Sequence, residues 1–360
     1  MDSFPYTSLL GRSKTERRWP TAIDLFSGSG AASAALKRAH FRVLAAVDND
    51  PVACATYRLN HPRVPIYETD IRNLAPSTLR NECLANTSLD LMIVCAPCQP
   101  FSNQNRNRKG DRRSRLLIEA ARFVSELKPK VLFVENVPGL AADVNANLLT
   151  EFREACGPAY QFSQPLHVNA ADYGVPQRRL RCLLMATKNG PVPSLPPPTT
   201  PPDKRRTVRD AIFNLRRLSS GEVDPDDPLH RARNHRLIAL RRLQEIPQNG
   251  GSRKDLPKSL TLKCHRSANC YPDVYGRMRW DTVAPTLTTG CTDVTRGRFA
   301  HPEDDRALTP REAALLQTFP SDYAFAGSPQ MVATQIGNAI PFELVRALAP
   351  TFREAIRQHG

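Results

Sequence analysis

A single apolar run ends in a proline-flanked cysteine, and this stretch decides how the first half of the chain is organised: Asp90-Leu91-Met92-Ile93-Val94-Cys95-Ala96-Pro97-Cys98-Gln99-Pro100-Phe101-Ser102. The run has the length and composition of a buried strand. Ligand-facing groups in open parallel sheets lie just beyond the carboxyl ends of the strands. Cys98 therefore occupies a position where a reactive thiol is expected. The basic segment that follows it indicates a polyanionic substrate.

The sequence on either side of this stretch alternates between short apolar runs and amphipathic segments, from residue 21 to residue 187. This alternation predicts an α/β fold with a mostly parallel sheet and helices on both faces. We expect strands at residues 22–26, 43–47, 89–95, 130–135 and 181–186. We expect helices at residues 31–39, 51–60, 114–127 and 147–154.

The pattern changes after residue 188. Seven prolines between residues 190 and 202 predict a stiff linker without strand donors, and residues 204–301 are arginine-rich and weakly periodic. Regular structure returns at Thr309-Pro310-Arg311-Glu312, a capping box whose helix should end near residue 319, and in an amphipathic stretch at 342–357. We expect an N-terminal extension at 1–18 that could be disordered, a main domain at 19–187 plus 306–360, and a smaller, loop-rich domain at 188–305.

Composition narrows the class of protein. The chain has 360 residues, of which 41% are hydrophobic, enough to bury a core. Fifty Lys and Arg against 35 Asp and Glu give a net charge of +15, which favours a nucleic acid or another acidic partner, although simple solubility is the alternative. Nine cysteines suggest reduced thiols in an intracellular protein. No apolar segment is long enough to span a membrane, so we expect a cytoplasmic protein without a membrane partner.

Unusual polar residues directly follow each predicted strand of the first half, and we expect them to converge on one site: Asp24 to Gly30, Asp48, Asp70, Cys98 and Glu135-Asn136. Gly28 and Gly30 permit close backbone approach to a ligand, or they only make a turn. Ser33 stands where the dinucleotide fingerprint has Gly or Ala. Asp48 would accept hydrogen bonds from a ribose diol, which suits S-adenosylmethionine as well as NAD.

Cys98 differs from the cysteines in apolar or amphipathic surroundings, which we expect to be inert. A thiol needs nearby positive charge or backbone amides to ionise at neutral pH. Residues 103–115 are rich in arginine and predict either a mobile lid over a nucleic-acid backbone or a solvated surface loop. Glu135 ends the most apolar strand, where a carboxylate is costly unless it is paired or functional. Arg179 and Arg181, two residues apart, should share one face of an extended segment.

These motifs together resemble those of the DNA (cytosine-5) methyltransferases, in that family's order over roughly residues 20–350. They are Asp-Leu-Phe-Ser-Gly-Ser-Gly, Ala-Pro-Cys-Gln-Pro-Phe-Ser, Glu135-Asn136-Val137, Gln177-Arg178-Arg179-Leu180-Arg181, Pro285-Thr286-Leu287-Thr288 and Gln335-Ile336-Gly337-Asn338-Ala339-Ile340-Pro341. The resemblance implies a Rossmann-like, S-adenosylmethionine-dependent methyltransferase domain that faces a target-recognition domain across a DNA cleft. It also implies sequence-specific methylation of a flipped-out cytosine in double-stranded DNA by a monomer, with a restriction endonuclease as its functional counterpart.

The resemblance also assigns roles to individual residues. Cys98 would attack cytosine C6, Glu135 would protonate N3, Arg181 would hold the O2 side, and Arg179 would orient Glu135 and the loop. Phe26 would lie against the adenine, Asp48 would bind the ribose, Asp70 the adenine amino group, and Pro97 with Asn338 would border the methionine end. The full set of implied cofactor contacts is Asp24, Phe26, Ser27, Gly28, Gly30, Asp48, Asn49, Asp70, Ile71, Pro97, Asn338 and Ala339.

Two positions depart from the family pattern, Ala31 in the cofactor loop and Ala96 before Pro97, and we expect them to alter loop geometry slightly without loss of activity.

Basic or polar residues of the lid and the smaller domain are candidate DNA contacts: Gln104, Arg106, Arg108, Lys109, Arg112, Arg113, Arg115, Arg253, Lys263, Arg277 and Arg279. We expect no metal site at Cys264, His265, Cys270 and Cys291, whose spacing lacks close pairs. Trp280 is expected in a core.

Two other functions stay open at this point. A tRNA cytosine-5 methyltransferase would share the fold, but tRNA-modifying relatives usually carry a smaller variable domain. A non-catalytic DNA-binding relative would not need Cys98, Glu135 and Arg181 together.

Overall fold

The computed structural model describes residues 19–85, 87–98, 101, 112–262 and 273–359. Eight strands form one sheet: β1 Thr21–Leu25, β2 Arg42–Asp48, β3 Ile66–Glu68, β4 Leu91–Val94, β5 Val131–Asn136, β6 Tyr160–Phe162, β7 Leu166–Asn169 and β8 Leu180–Lys188. Their order is β3-β2-β1-β4-β5-β8-β6, and β7 also pairs with β8. Strands β1 to β5 are parallel, whereas β8 is antiparallel to β5, β6 and β7. The predicted α/β class is confirmed.

The described α-helices are α1 Ala31–Arg38, α2 Pro51–Asn60, α3 Pro76–Leu79, α4 Leu116–Leu127, α5 Ala146–Cys156, α6 Val208–Ile212, α7 Leu237–Glu245, α8 Pro310–Leu316, α9 Pro329–Asn338 and α10 Phe342–Arg357. The predicted capping box is confirmed, because Thr309 Oγ1 accepts from the Glu312 amide while the Glu312 carboxylate accepts from the Thr309 amide. Helix α8 ends three residues before the predicted position. A 3₁₀ turn at Arg112–Arg115 precedes α4, which therefore begins later than expected.

The central strands are buried on both faces, as parallel strands covered by helices must be. Ile23 and Val94 pack into a core with Leu117 of α4 and Phe152 of α5. Ala22 belongs to the core on the opposite face, where α1 and α10 pack. Period-two alternation thus sends neighbouring residues of one strand to different cores. This two-sided burial fixes the strands and leaves their carboxyl ends as one common edge.

Three strands and the helices α3, α6, α7 and α9 were not predicted from the sequence. Strands β3, β6 and β7 contain only three or four residues each, too few to produce a clear period. Helix α9 begins at a Ser328 cap with Pro329 in its first turn, a signal that was present in the sequence. Its last residue, Asn338, belongs to one of the motifs quoted above.

The chain beyond β8 builds two smaller cores. One joins Val208, Trp280 and Leu287 to Leu316 of α8 and Ile336 of α9, and the other surrounds Leu243 of α7. The proline-rich segment lies against the sheet domain, since Thr200 Oγ1 donates to the Ala171 carbonyl. The expected boundaries at residues 188 and 305 stay predictions. Within the described ranges, no helix combines the length and the apolar character needed to cross a bilayer.

Candidate active site

The carboxyl ends of β1, β2, β4 and β5, the start of β8 and the end of α9 enclose a cavity of about 410 Å³. All the predicted catalytic and cofactor-binding residues except Gly30 line it: Asp24, Phe26, Ser27, Gly28, Asp48, Asn49, Asp70, Ile71, Pro97, Cys98, Glu135, Arg179, Arg181, Asn338 and Ala339. The structure thus brings together residues from opposite ends of the sequence, such as Asp24 and Ala339. The expected convergence at the strand ends is confirmed for Asp24, Asp48, Asp70, Cys98 and Glu135, whereas Gly30 and Asn136 are not among the lining residues.

Cys98 lies in the loop after β4, and its carbonyl accepts a hydrogen bond from the amide of Phe101 at 3.0 Å. Burial raises the pKa of the Cys98 thiol, and Glu135 raises it further, whereas Arg181 and Arg179 lower it. The thiol is therefore protonated at neutral pH in the absence of a ligand. Either substrate binding or a local base must favour the thiolate during a reaction.

A buried ion pair stands beside this thiol. Arg181 Nε lies 2.6 Å from Glu135 Oε1, and the two residues are only 7% and 8% exposed. Two charges removed from water need such contact, because an unpaired buried charge is strongly destabilising. The neighbouring Asn136 side chain donates to the Ala96 carbonyl at 3.0 Å and so ties the end of β5 to the loop that carries Cys98.

Arg179 has different partners from those implied by the resemblance. Its guanidinium donates to the carbonyls of Leu287, Gly337 and Ala339, each at 2.9 Å, and none of its described hydrogen bonds reaches Glu135. Arg181, the other predicted arginine, makes that contact instead. Both side chains are buried whereas Leu180 between them is exposed, so the expected common face of Arg179 and Arg181 is confirmed.

Asp48, at the end of β2, organises the side of the cavity that carries several of the predicted cofactor contacts. One carboxylate oxygen accepts from the Gly28 amide at 2.7 Å, and the other accepts from the Asp50 amide at 2.9 Å. Burial raises the pKa of Asp48, although these backbone bonds oppose the shift. The carboxylate therefore fixes the glycine loop that follows β1 while still lining the cavity.

Asp70 lies at the rim of the same cavity and caps the 3₁₀ turn Ile71–Asn73. Its carboxylate also binds the Arg72 guanidinium, with Nη2 2.6 Å from Oδ2. This hydrogen bond lowers the pKa of Asp70. Asp70 thus combines a turn-capping role with a place on the cavity wall.

Gly30, in the loop after β1, does not line the cavity, but both of its chain neighbours do. Its φ of +91° is in the left-handed region, and a Cβ atom there would lie 2.6 Å from the His61 ring. His61 Nε2 lies 3.0 Å from the Gly30 carbonyl, and Tyr323 Oη donates to the Ser29 carbonyl at 2.6 Å. Burial lowers the pKa of His61 to about 4, so the ring is neutral. Sequence reasoning missed His61 and Tyr323, because neither follows a predicted strand.

The cavity wall carries buried polar atoms that lack a hydrogen-bond partner. Eight side-chain atoms of this kind occur among the described residues, and five belong to residues of this cavity: Asp24 Oδ1, Ser27 Oγ, Ser29 Oγ, Arg179 Nε and Gln335 Oε1. Buried polar groups without partners are costly, so such a concentration is typical of a surface that binds a polar ligand. Burial also raises the pKa of Asp24 to about 7.

The family model described as C-5 cytosine-specific DNA methylase matches residues 21–354. This chain belongs to that family. The methylase is 39% identical over 339 residues to the Type II methylase M.HgiDII of Herpetosiphon aurantiacus, with 92% of this chain and 94% of that protein covered. It is 33% identical over 335 residues to the Type II methyltransferase M1.HphI of Haemophilus parahaemolyticus, covering 91% and 85%.

Solved structures support the same fold. A crystal structure of a DNA modification methyltransferase encoded within an E. coli prophage superposes with a TM-score of 0.72 at 23% identity, over 94% of this methylase and 99% of that chain. The fold is therefore that of the methyltransferases. With the family established, the activity of the methylase is transfer of a methyl group to carbon 5 of cytosine in DNA.

The candidate DNA contacts of the methylase differ in their burial and in their partners. Arg277 was a wrong prediction, because it is 1% exposed and its side chain donates to backbone carbonyls of the interior, including those of Leu243 at 2.7 Å and Ile246 at 3.1 Å. Arg279 is exposed, Arg253 is half-buried, and Arg115 pairs with Glu151 at 2.5 Å. The backbone of Arg112 and Arg113 forms the 3₁₀ turn before α4. The remaining candidates lie outside the described residues: Gln104, Arg106, Arg108, Lys109 and Lys263.

The sequence also predicted that four Cys and His residues form no metal site and that Trp280 lies in a core. Cys264, His265 and Cys270 lie outside the described residues, and Cys291 is buried. No group of three or more possible metal ligands occurs in the part of the methylase that the structure describes. Trp280 is 3% exposed and donates from Nε1 to Glu303, which confirms its assignment to a core.

Proposed function

We propose that the methylase acts on a cytosine rotated out of duplex DNA and that Cys98 is its nucleophile. The observation that carries this proposal is the common cavity of Cys98 and the buried Glu135–Arg181 pair. A stacked base cannot bring carbon 6 to the half-buried thiol inside this cavity, so the base must leave the helix at a cost of a few kcal/mol. The net charge of +15 supports the affinity for phosphates that this requires.

We propose S-adenosylmethionine as the methyl donor. The unpartnered polar atoms on the cavity wall and the acidic Asp48 fit a ligand with amino, hydroxyl and carboxylate groups. The residues that would hold it are Phe26, Asp48, Asp70, Pro97 and Asn338. When bound, this cofactor supplies an electrophilic methyl group. Carbon 5 of cytosine is a poor nucleophile, and the protein residues must therefore activate it.

The activation follows from the side chains around Cys98. The Cys98 thiol gives its proton to the Glu135 carboxylate, and Glu135 passes this proton to N3 as the thiolate adds to carbon 6. The ring thereby becomes an enamine with electron density at carbon 5. Arg181 holds Glu135 in place and offers its remaining donors to the O2 side of the base. After carbon 5 has been methylated, water takes its proton, the C5–C6 double bond re-forms and Cys98 leaves as a thiolate. N3 returns its proton to Glu135, which restores the carboxylate.

The names of both relatives contain the words Type II, which supports a further proposal about the biological role of the methylase. We propose that the methylase modifies one short recognition sequence and protects it from a restriction endonuclease of the same specificity. Sequencing DNA from an expressing host with methylation-sensitive chemistry would identify that sequence.

A transfer assay tests the proposed substrate and nucleophile together. Labelled S-adenosylmethionine is incubated with duplex DNA or with tRNA, using wild-type protein and Cys98→Ala. Transfer to DNA that disappears in Cys98→Ala is the expected result. Transfer to tRNA alone would select the RNA-modifying alternative, and no transfer to either substrate would favour a non-catalytic relative.

A further inference from the structure

Two buried glutamine side chains contact Arg179 and the Ala339 carbonyl next to the cavity. Gln177 and Gln317 are both fully buried, with 0% exposure, and Gln177 Nε2 donates to Gln317 Oε1 at 2.6 Å. We call this pair the amide bridge. Burying a primary amide is costly unless its donors and acceptor find partners, so such a pair is expected to hold specific groups.

The amide bridge contacts three chain segments that are distant in sequence. Gln177 Oε1 accepts from the Leu287 amide at 3.0 Å, and Gln177 Nε2 also lies 3.3 Å from the Leu316 carbonyl. Gln317 Nε2 donates to the Ala339 carbonyl at 2.5 Å. The bridge thus joins the segment around Leu287, the end of α8 and the turn after α9.

Arg179 completes the connection. The Ala339 carbonyl that accepts from Gln317 also accepts from Arg179 Nη2 at 2.9 Å, and Arg179 Nη1 binds the Leu287 carbonyl. Ala339 follows Asn338, and both residues line the cavity. The Ala339 carbonyl, at the cavity wall, is therefore held by a neutral donor and a charged donor together.

Close packing makes this position intolerant of displacement. A Cβ atom on Gly337 would lie 2.4 Å from the Thr288 carbonyl carbon, so α9 and the 287–289 segment touch through their backbones. With no side chain between them to adjust, hydrogen bonds determine how the two segments are placed.

From this geometry we infer that Gln317 is a positioning residue for cofactor binding, acting through the Ala339 carbonyl, with Gln177 as its support. The inference rests on the proposed use of S-adenosylmethionine in this cavity. Without the Gln317 donor, Arg179 alone holds the carbonyl, and Asn338 at the cavity wall loses its fixed position. Cofactor affinity is then reduced more than the stability of the fold.

The test measures binding of S-adenosylhomocysteine, a probe that cannot transfer a methyl group, by titration calorimetry. Gln317→Met keeps the side-chain length but removes the amide group, and its dissociation constant should rise about tenfold. Gln317→Asn keeps the amide but is one methylene too short, and it should give a similar loss. Urea unfolding of each variant reports the structural effect separately.

Thr187→Val is the matched control. Thr187 is also fully buried, and its hydroxyl is within hydrogen-bond distance of the Gly190 and Pro191 carbonyls, at the end of β8 that lies away from the cavity. This variant should lose comparable stability and keep wild-type affinity for the probe. Folded Gln317→Met or Gln317→Asn with a dissociation constant within about twofold of wild type would overturn the inference, as would an equal loss in Thr187→Val. Failure of the wild-type protein to bind the probe would instead contradict the proposed cofactor.

Discussion

Arg181 Nε and Glu135 Oε1 are 2.6 Å apart in the wall of the cavity that Cys98 also lines. Strand β8 is antiparallel to β5, so the beginning of one strand lies beside the end of the other and the two side chains meet. The pair places a carboxyl group next to the thiol and restrains its orientation. The geometry suits a residue that must exchange a proton with a base at a fixed position.

Breaking this pair should affect both stability and activity. Arg181→Met leaves the Glu135 carboxylate buried without a partner, and we expect the free energy of unfolding to fall by about 3–5 kcal/mol and methyl transfer to fall by more than about a hundredfold. Arg115→Met removes the exposed pair with Glu151 and should change stability by less than about 1 kcal/mol. Equal losses in urea unfolding of the two variants would contradict a special role for the buried pair.

Two neighbouring arginines of the smaller part of the chain should have opposite effects. Arg277 binds backbone carbonyls in the interior, so Arg277→Ala should lower the free energy of unfolding by several kcal/mol, about the loss expected for a broken buried network. Arg279 is exposed, so Arg279→Ala should leave stability nearly unchanged and weaken DNA binding with a shallower salt dependence. Urea unfolding and DNA titrations at several salt concentrations measure both. Unchanged DNA affinity in Arg279→Ala would remove this residue from the DNA contacts.

Asp24 should make stability depend on pH. Burial raises its pKa to about 7 in the folded protein from an ordinary value of 3.8, so the folded form binds more protons than the unfolded chain between these values. Stability from this group is complete below about pH 4 and is lost as the pH rises through about 7, at about 1.4 kcal/mol per pH unit. Asp24→Asn removes this dependence, so its free energy of unfolding should rise relative to that of the wild type by about 3 kcal/mol as the pH increases from about 5 to about 8. A difference between the two unfolding free energies that stays constant over this pH range would contradict the raised pKa.

Gly139 should control the position of Cys98 through Phe101. A Cβ atom at Gly139 would lie 2.0 Å from the Phe101 carbonyl oxygen, and the Phe101 amide donates to the Cys98 carbonyl. Gly139→Ala should therefore displace the loop and lower kcat by at least about tenfold, since small misplacements of a reacting group are costly. Gly157→Ala meets no atom within 4 Å but has a φ of +98°, so it should cost only about 1 kcal/mol of stability and preserve kcat. Similar kcat values for the two variants would contradict the proposed loop contact.

Sequence reasoning located residues that directly follow strands more readily than residues that act through tertiary contacts. Cys98, Glu135 and Asp48 could be predicted because parallel strands end at a common edge. Arg277 and Arg279 could not be separated, because the weakly periodic segment around them does not indicate which side chain is buried. Gln317 and His61 carry no local signal, since their partners at Ala339 and Gly30 are far away in the sequence.

Duplex DNA that contains 5-fluorocytosine tests covalent catalysis by Cys98 most directly, because fluorine at carbon 5 prevents the elimination that releases the enzyme. With S-adenosylmethionine present, the wild-type protein should form a denaturation-resistant conjugate with this DNA, attached at Cys98 by peptide mass spectrometry, and Cys98→Ala should form none. If wild-type protein methylates ordinary cytosine but forms no conjugate, or forms it at another residue, covalent catalysis by Cys98 is ruled out.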